Sequence, residues 1–322
     1  LNGELPNKAQ LKKFIKEERL DRKLSKQILN DIQKMPKKAH PMDVIRTAVS
    51  LMSLEDKDVR DNSPTANMRK AIRIFAKAPT ALSAYFRTRK GKKIIKPKKK
   101  LTFSENFFYM CFGKVPSKEI VKAFDVSLIL YAEHSFNVST FTARTITSSL
   151  SDIHGAITGA IASLKGPLHG GANEEVMHMM KKIKKPENAF KWINKALDKK
   201  EVIMGFGHRV YKKGDSRVPT MEKYFRKVSK IKADKKFIKI YDIVKNVMID
   251  KKNIHPNVDY PTGPTYHLMG FDTDFFTPIF VMSRITGWSA HIMEQHAANK
   301  LIRPLSKYSG ADHRKVMLLN QR

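Results

Sequence analysis

The sequence predicts an all-α protein. Three observations carry that prediction. Apolar residues recur at helical spacing through segments such as "NKAQLKKFIKEERLDRKLSKQILNDIQKM" and "PMDVIRTAVSLMSL". Strand signals are scarce. Helix starts are well marked by short polar residues, and glycine and proline divide the helical stretches.

In chain order, residues 1 to about 165 read as one helical block. Ser117 in "SKEIVKAF", just after Pro116, is expected as an N-cap, and Ser53 in "SLEDKDVR" likewise. A basic loop is expected near 87–100. The run "TFTARTITSSLSDIHGAITGAIASLK" reads as one long helical stretch, broken by Gly166 and Pro167. Residues 171 to about 270 read as shorter helices separated by "MGFGHRVYKKGDSR" and "HPNVDYPTGPTY". A last apolar helix runs from 275 to about 296 and ends in "NKLIRPLSKYSG". Glycine-flanked joints bracket the middle segment, which can therefore move as a unit against the rest.

Bulk properties narrow the function. The chain has 322 residues and is 41% apolar, enough to bury a core and against disorder. The N-terminus, "LNGELPNKAQLKKF", has no apolar secretory core. The most apolar region, 275–293, is interrupted by Arg284 and His291 and reads as a buried helix, not a membrane span. Cys111, the one cysteine, excludes an internal disulfide and a CxxC metal pair. It reads as a core residue in a protein of a reducing, cytoplasmic compartment. Net charge is +32, which raises nucleic acid as a partner. The lysines are spread along the chain, however, and the densest run, "RTRKGKKIIKPKKK", lacks the aromatic residues that stack on bases. It reads as a solvated loop on a surface that draws in small anions.

Three segments share one design. "GPLHGGAN" carries His169, "GFGHRVY" carries His208 and "NVDYPTGP" carries Asp259. Each sets one proton-handling side chain among small or turn-forming residues, where a ligand can approach the backbone closely. Metal is not expected. His291 and His296 in "HIMEQH" are five apart, about 140° around a helix, and cannot chelate together. Phosphate-loop, dinucleotide and serine-hydrolase glycine motifs are missing. Arg217, Arg284 and Arg303 lie near the same breaks. Arg284 stands in an apolar helix, so it either meets a buried carboxylate or awaits an anionic ligand. Several arginines with two histidines suit a small dicarboxylate.

These residues identify a resemblance. "EHSFNVSTFTAR", "GPLHGGANEE", "IMGFGHRVYKKGDSR", "PNVDYPTG", "FFTPIFVMSRITGWSAHIMEQ" and "NKLIRPLSKYSG" resemble, in order and from end to end, the citrate synthase family, including the 2-methylcitrate synthases. The resemblance implies an all-helical homodimer with a large domain (1–170 and 273–322), a small mobile domain (171–272) and a cleft between them. It implies condensation of an acyl-CoA, acetyl or propionyl, with oxaloacetate, and hydrolysis of the thioester to citrate or 2-methylcitrate. No cofactor is implied beyond the CoA co-substrate. His169 resembles the donor to the thioester carbonyl, Asp259 the base at the acyl α-carbon and His208 the donor to the oxaloacetate carbonyl. His134, Arg217 and Arg284 resemble oxaloacetate-site residues, and Arg303 one that the partner subunit supplies. Val202, Ile203, Met204, Gly205, Phe206 and Gly207 resemble the backbone cradle of the CoA adenine, with Lys212 at a basic CoA contact.

Two features depart from the family pattern. Asp215-Ser216-Arg217 replaces a frequent Asp-Pro-Arg, which bears on the local turn. Leu1 falls at a position resembling the family's interior, so a further N-terminal segment is expected. Two other readings stay open on sequence: a basic helical nucleic-acid-binding protein, and an inactive family member with a structural role.

Overall fold

Short polar side chains start most helices of the first half. This is seen in a computed structural model that describes residues 3–166, 169–211 and 213–322. Asn7 caps α1 (Lys8–Asp21), Ser25 caps α2 (Lys26–Lys34) and His40 caps α3 (Pro41–Leu54). Ser63 caps α4 (Pro64–Thr88) and Thr102 caps α5 (Phe103–Phe112). Each accepts a backbone N–H of the first turn that would otherwise lack a partner. Ser117 precedes α6 (Lys118–Tyr131) as expected, though its side chain makes no cap bond. Asn137 caps α7 (Val138–Ser148), and Asp152 caps α8 (Ile153–Leu164).

The second half continues with α9 (Ala172–Ile183), α10 (Pro186–Asp198), α11 (Val218–Ile231), α12 (Lys236–Lys252) and α13 (Asp259–Leu268). A 3-10 turn, Thr273–Phe275, leads into α14 (Phe276–Ala297). Among the described residues there is no β-strand, only an isolated bridge between Phe206 and Pro256. The all-α prediction is therefore correct. No described helix is long and apolar enough to cross a membrane.

Three local expectations need correction. Ser53 is not an N-cap. It lies in the last turn of α3, where its hydroxyl donates to the Ser50 carbonyl. The long run ending at Lys165 is two helices, because Asp152 captures the N–H groups of His154 and Gly155 and starts α8 afresh. The 87–100 stretch is not simply a solvated loop. Arg89 pairs with Asp274 at 2.6 Å and Lys90 with Asp272 at 2.8 Å. Arg87 donates to the Lys93 and Cys111 carbonyls. Arg89 and Lys90 tie the end of α4 to the chain leading into α14, and Arg87 ties it to α5.

The core is built around α14, which is apolar nearly all round and is covered by α4, α6, α7 and α8. Ile279, Val281, Ile285, Trp288 and Ile292 are fully buried along it. Phe107, Phe108, Phe112, Phe124 and Phe271 stack in a continuous aromatic cluster beside it. Cys111 is buried, as expected of a core residue. In the second half, α10 packs on α12, and α9 and α11 both pack on α13. One close approach positions the site. The Gly287 N–H donates to the Ala132 carbonyl at 3.1 Å, and a Cβ on Gly287 would come within 2.4 Å of that oxygen. Glycine thus lets α14 touch the end of α6, which sets Arg284 beside Tyr131.

Candidate active site

A cleft of about 710 Å³ gathers the predicted residues. His134, His169, His208, Arg217, Asp259 and Arg284 all line it, together with the 202–207 backbone. They come from six separate places in the chain, and helix ends or turns deliver all but Arg284. Arg303 is elsewhere, exposed in the extended tail that follows α14. Lys212 lies outside the described residues, as does Pro167. Among the described residues no group of histidine, cysteine or carboxylate side chains could hold a metal.

His169 sits in the turn between α8 and α9. Its Nε2 accepts the backbone N–H of Ser139 at 3.3 Å and lies 2.9 Å from the Ser139 hydroxyl. That N–H belongs to the first turn of α7 and cannot rotate away. We therefore assign the imidazole proton to Nδ1. Burial, with the Arg284 charge nearby, pushes the His169 pKa down to about 4, so the ring is neutral. The indole N–H of Trp288 donates to the same Ser139 hydroxyl and fixes it. Gly171 precedes the first residue of α9, so the helix dipole also disfavours an imidazolium here.

The mirror arrangement holds His208. Its Nδ1 accepts the backbone N–H groups of Val210 and Tyr211, at 3.1 and 3.3 Å. The proton is thereby assigned to Nε2. Burial and the Arg217 charge hold this histidine below its usual range. His134 lies against it, ring centroids 4.9 Å apart, and is lowered by burial and the charge of Arg217. The loop leading to His208 is pinned to the chain before Asp259. The Asn257 N–H donates to the Gly205 carbonyl, and its side chain donates to the Gly207 carbonyl, at 2.9 and 3.0 Å.

Asp259 opens α13. Burial pushes its carboxyl up to about 6, against the opposing pull of the Tyr131 hydrogen bond and Arg217. It is thus a stronger base than an ordinary carboxylate, yet still ionised at neutral pH. Two cations face it. Arg217 is gripped by the buried Asp215, whose carboxylate also accepts the Val258 N–H at 3.0 Å. The turn in which serine replaces proline is therefore closed by Asp215 itself, which also accepts the Arg217 N–H. Arg284 makes no ion pair among the described residues. Its Nε donates to the Tyr131 carbonyl at 2.7 Å, and its guanidinium lies over the Phe280 ring, 4.6 Å from the centroid. Burial lowers its pKa to about 10, which leaves it charged. Of the two explanations for a charge in this helix, the geometry favours an awaited anion.

Sequence reasoning missed several residues. Tyr131, buried at the end of α6, donates its phenol to Asp259 at 2.5 Å. Asp215, Ser139 and Trp288 hold the site residues just described. Asn257 was visible only as part of a turn motif.

The family model described as citrate synthase, C-terminal domain, matches residues 1–305. The chain belongs to the citrate synthase family. A 2-methylcitrate synthase of Mycobacterium tuberculosis is 52% identical over 97% of this chain and 79% of its own length. A citrate synthase of Mycolicibacterium smegmatis is 49% identical over 98% of this chain and 84% of its own. Among solved structures, citrate synthase of Pyrobaculum aerophilum superposes with a TM-score of 0.93 at 32% identity, covering 100% of this chain and 84% of that one. A citrate synthase from Thermoplasma acidophilum, in ternary complex with carboxymethyl coenzyme A and oxaloacetate, gives 0.93 at 31% identity, covering 100% and 86%. Relatives of both names, citrate synthase and 2-methylcitrate synthase, are thus about equally similar to the chain.

Proposed function

We propose that the cleft condenses an acyl-CoA, acetyl-CoA or propionyl-CoA, with oxaloacetate and hydrolyses the product thioester, giving citrate or 2-methylcitrate and free CoA. The observation that carries this reading is the convergence of Asp259, His169 and His208 with Arg217 and Arg284 in one cleft. It is a base, two neutral donors and two cations.

In this reading the Asp259 carboxylate removes a proton from the acyl α-carbon. The thioester α-hydrogen is only weakly acidic, so the nascent enolate oxygen needs stabilisation as it forms. His169 supplies it through Nδ1–H; a positioned donor of this kind contributes about 3 kcal/mol. The enol carbon then attacks the oxaloacetate carbonyl carbon. His208 polarises that carbonyl through Nε2–H and passes its proton to the alkoxide. Water finally cleaves the thioester, releasing CoA thiol and making the overall step effectively irreversible. Arg217, Arg284 and His134 hold the oxaloacetate carboxylates, and the 202–207 backbone, with Lys212, receives CoA. The steps are proton transfer, carbon–carbon bond formation and hydrolysis, and they call for no redox or metal cofactor.

The same reading takes the chain as a homodimer. Exposed Phe136, Val138, Phe141 and Leu150 support an interface around α7, and the exposed tail leaves Arg303 free to reach a partner's cleft. Residues 171–272 act as the small domain and close on the remainder, excluding water before hydrolysis. A single buried thiol fits a reducing cytoplasm. Nothing in the site favours nucleic acid as the partner. The acyl group is decided by kinetics, because one methylene is worth only about 1–3 kcal/mol in a pocket. Oxaloacetate-dependent release of CoA thiol tests the reaction. A propionyl-CoA kcat/KM at least equal to that for acetyl-CoA assigns the 2-methylcitrate product. No release with either acyl-CoA contradicts the proposal and leaves the inactive-member reading.

A further inference from the structure

Tyr131 stands out among the cleft residues that the proposed reaction does not use. It is the last residue of α6, and only 1% of it is exposed. It is held from three sides. Its ring packs on Phe280 at a tilt, centroids 4.1 Å apart, its carbonyl accepts Arg284 Nε, and its phenol donates to Asp259 Oδ1. Among the described residues no other group hydrogen-bonds the Asp259 carboxylate, so Oδ2 is left free in the cleft.

We propose that Tyr131 is a positioning residue for the base, its phenol holding Oδ1 so that Asp259 stays ionised and presents Oδ2 to the acyl α-carbon. The inference rests on the reading of Asp259 as that base. The physical argument is one of charge and burial. A carboxylate in a dry site gains a proton unless something stabilises the anion. Two cations face it, Arg217 ahead of α11 and Arg284 in α14, while Asp215 opposes them. Both arginines are committed to substrate carboxylates in the proposed complex, which weakens their hold on Asp259. A neutral phenol has no such second task. Burial and the neighbouring Asp259 charge push the Tyr131 hydroxyl well above its usual range, so it remains a donor and does not compete as an acid. Tyr266, the other phenol near this carboxylate, is pushed up by burial as well and is likewise neutral.

The test is the pH profile of kcat/KM for the acyl-CoA at saturating oxaloacetate, with three proteins beside the parent. Tyr131→Phe removes the donor. Its acid limb moves to higher pH by roughly one unit, and activity recovers above about pH 8, with the oxaloacetate KM within about two-fold of the parent. In a second protein, 3-fluorotyrosine in place of Tyr131 keeps the shape and strengthens the donor. Its limb moves to lower pH, and it carries the test if Tyr131→Phe folds poorly. Asp259→Asn separates the two claims. If it is inactive and neither Tyr131 substitution moves the limb, the positioning role is overturned and the base assignment stands. If Asp259→Asn keeps thiol release, the base assignment falls and this inference with it. Opposite movements of the limb in the two Tyr131 proteins, with Asp259→Asn inactive, support it.

Discussion

Asp215 grips Arg217 with both carboxylate oxygens, at 2.9 and 2.7 Å, while one of them also accepts the N–H of Val258, the residue before Asp259. One buried side chain thus sets a cation and the base together. Burial opposes the Asp215 charge, but the Arg217 guanidinium outweighs it and holds this carboxyl below its usual value. Asp215→Ala leaves a mostly buried guanidinium without its partner and frees the start of α13. The expected outcome is an oxaloacetate KM raised about ten-fold or more together with a lower kcat, given that losing one partner of a buried pair costs several kcal/mol. Steady-state kinetics check it. An unchanged KM would show that Arg217 is not the clamp.

His169 should not titrate in the working range. With a pKa pushed down to about 4, its ring is neutral from about pH 5 upward. Histidine NMR on the folded protein is expected to show the His169 resonances unmoved between pH 5.5 and 8, at values typical of a Nδ1–H tautomer. His169→Ala should lower kcat by about 100- to 1,000-fold, the usual loss for one donor to a developing oxyanion. A midpoint near the ordinary histidine value would contradict the donor role.

Asp259 should reduce stability at neutral pH. Burial raises its folded pKa to about 6, well above the ordinary aspartate value. A carboxyl whose pKa is raised on folding stabilises the fold relative to its ionised form below the unfolded value. That contribution is lost as pH rises through the folded value. Asp259→Asn stays neutral and still accepts from Tyr131. It is therefore expected to raise Tm at pH 7.5, by the equivalent of about 1–3 kcal/mol, and to lose that advantage by about pH 4. Thermal unfolding at the two pH values measures this; equal Tm at pH 7.5 would mean that burial does not perturb the group.

Two neighbouring glycines should behave differently. A Cβ on Gly170 would come within 2.4 Å of the Leu164 carbonyl, while one on Gly171 meets nothing within 4 Å. Gly170 therefore serves the close turn between α8 and α9, while the Gly171 position has room for a side chain. Gly170→Ala is expected to cost about 2 kcal/mol or more, since backbone must shift, and Gly171→Ala less than about 1 kcal/mol. Denaturant titrations of both variants decide it.

Much of this was legible because the chemistry sits at punctuation. His169, His208 and Asp259 stand in glycine and proline turns, and Arg284 is a charge in an apolar helix, so each is odd locally. Tyr131 is not odd: at the end of "SLILY" it reads as one more apolar helix residue. Its contact with Asp259 spans 128 positions and exists only after folding. Ser139 is similar, an ordinary first-turn serine whose N–H fixes a tautomer in another loop. The misread helix starts have a local cause. Serine near an apolar stretch suits a cap and a last turn equally, and Ser53 bonds backward to Ser50 where a cap would bond forward. The split between α7 and α8 turned on Asp152, a better cap than its polar surroundings suggested.

The central claim is that Asp259 takes the acyl proton inside this cleft. It is tested most directly by oxaloacetate-dependent CoA thiol release from Asp259→Asn and the parent at pH 8, with both acyl-CoAs. The account predicts a loss of at least about 1,000-fold in kcat for either substrate, in a protein at least as stable as the parent. Thiol release within a few-fold of the parent would contradict it.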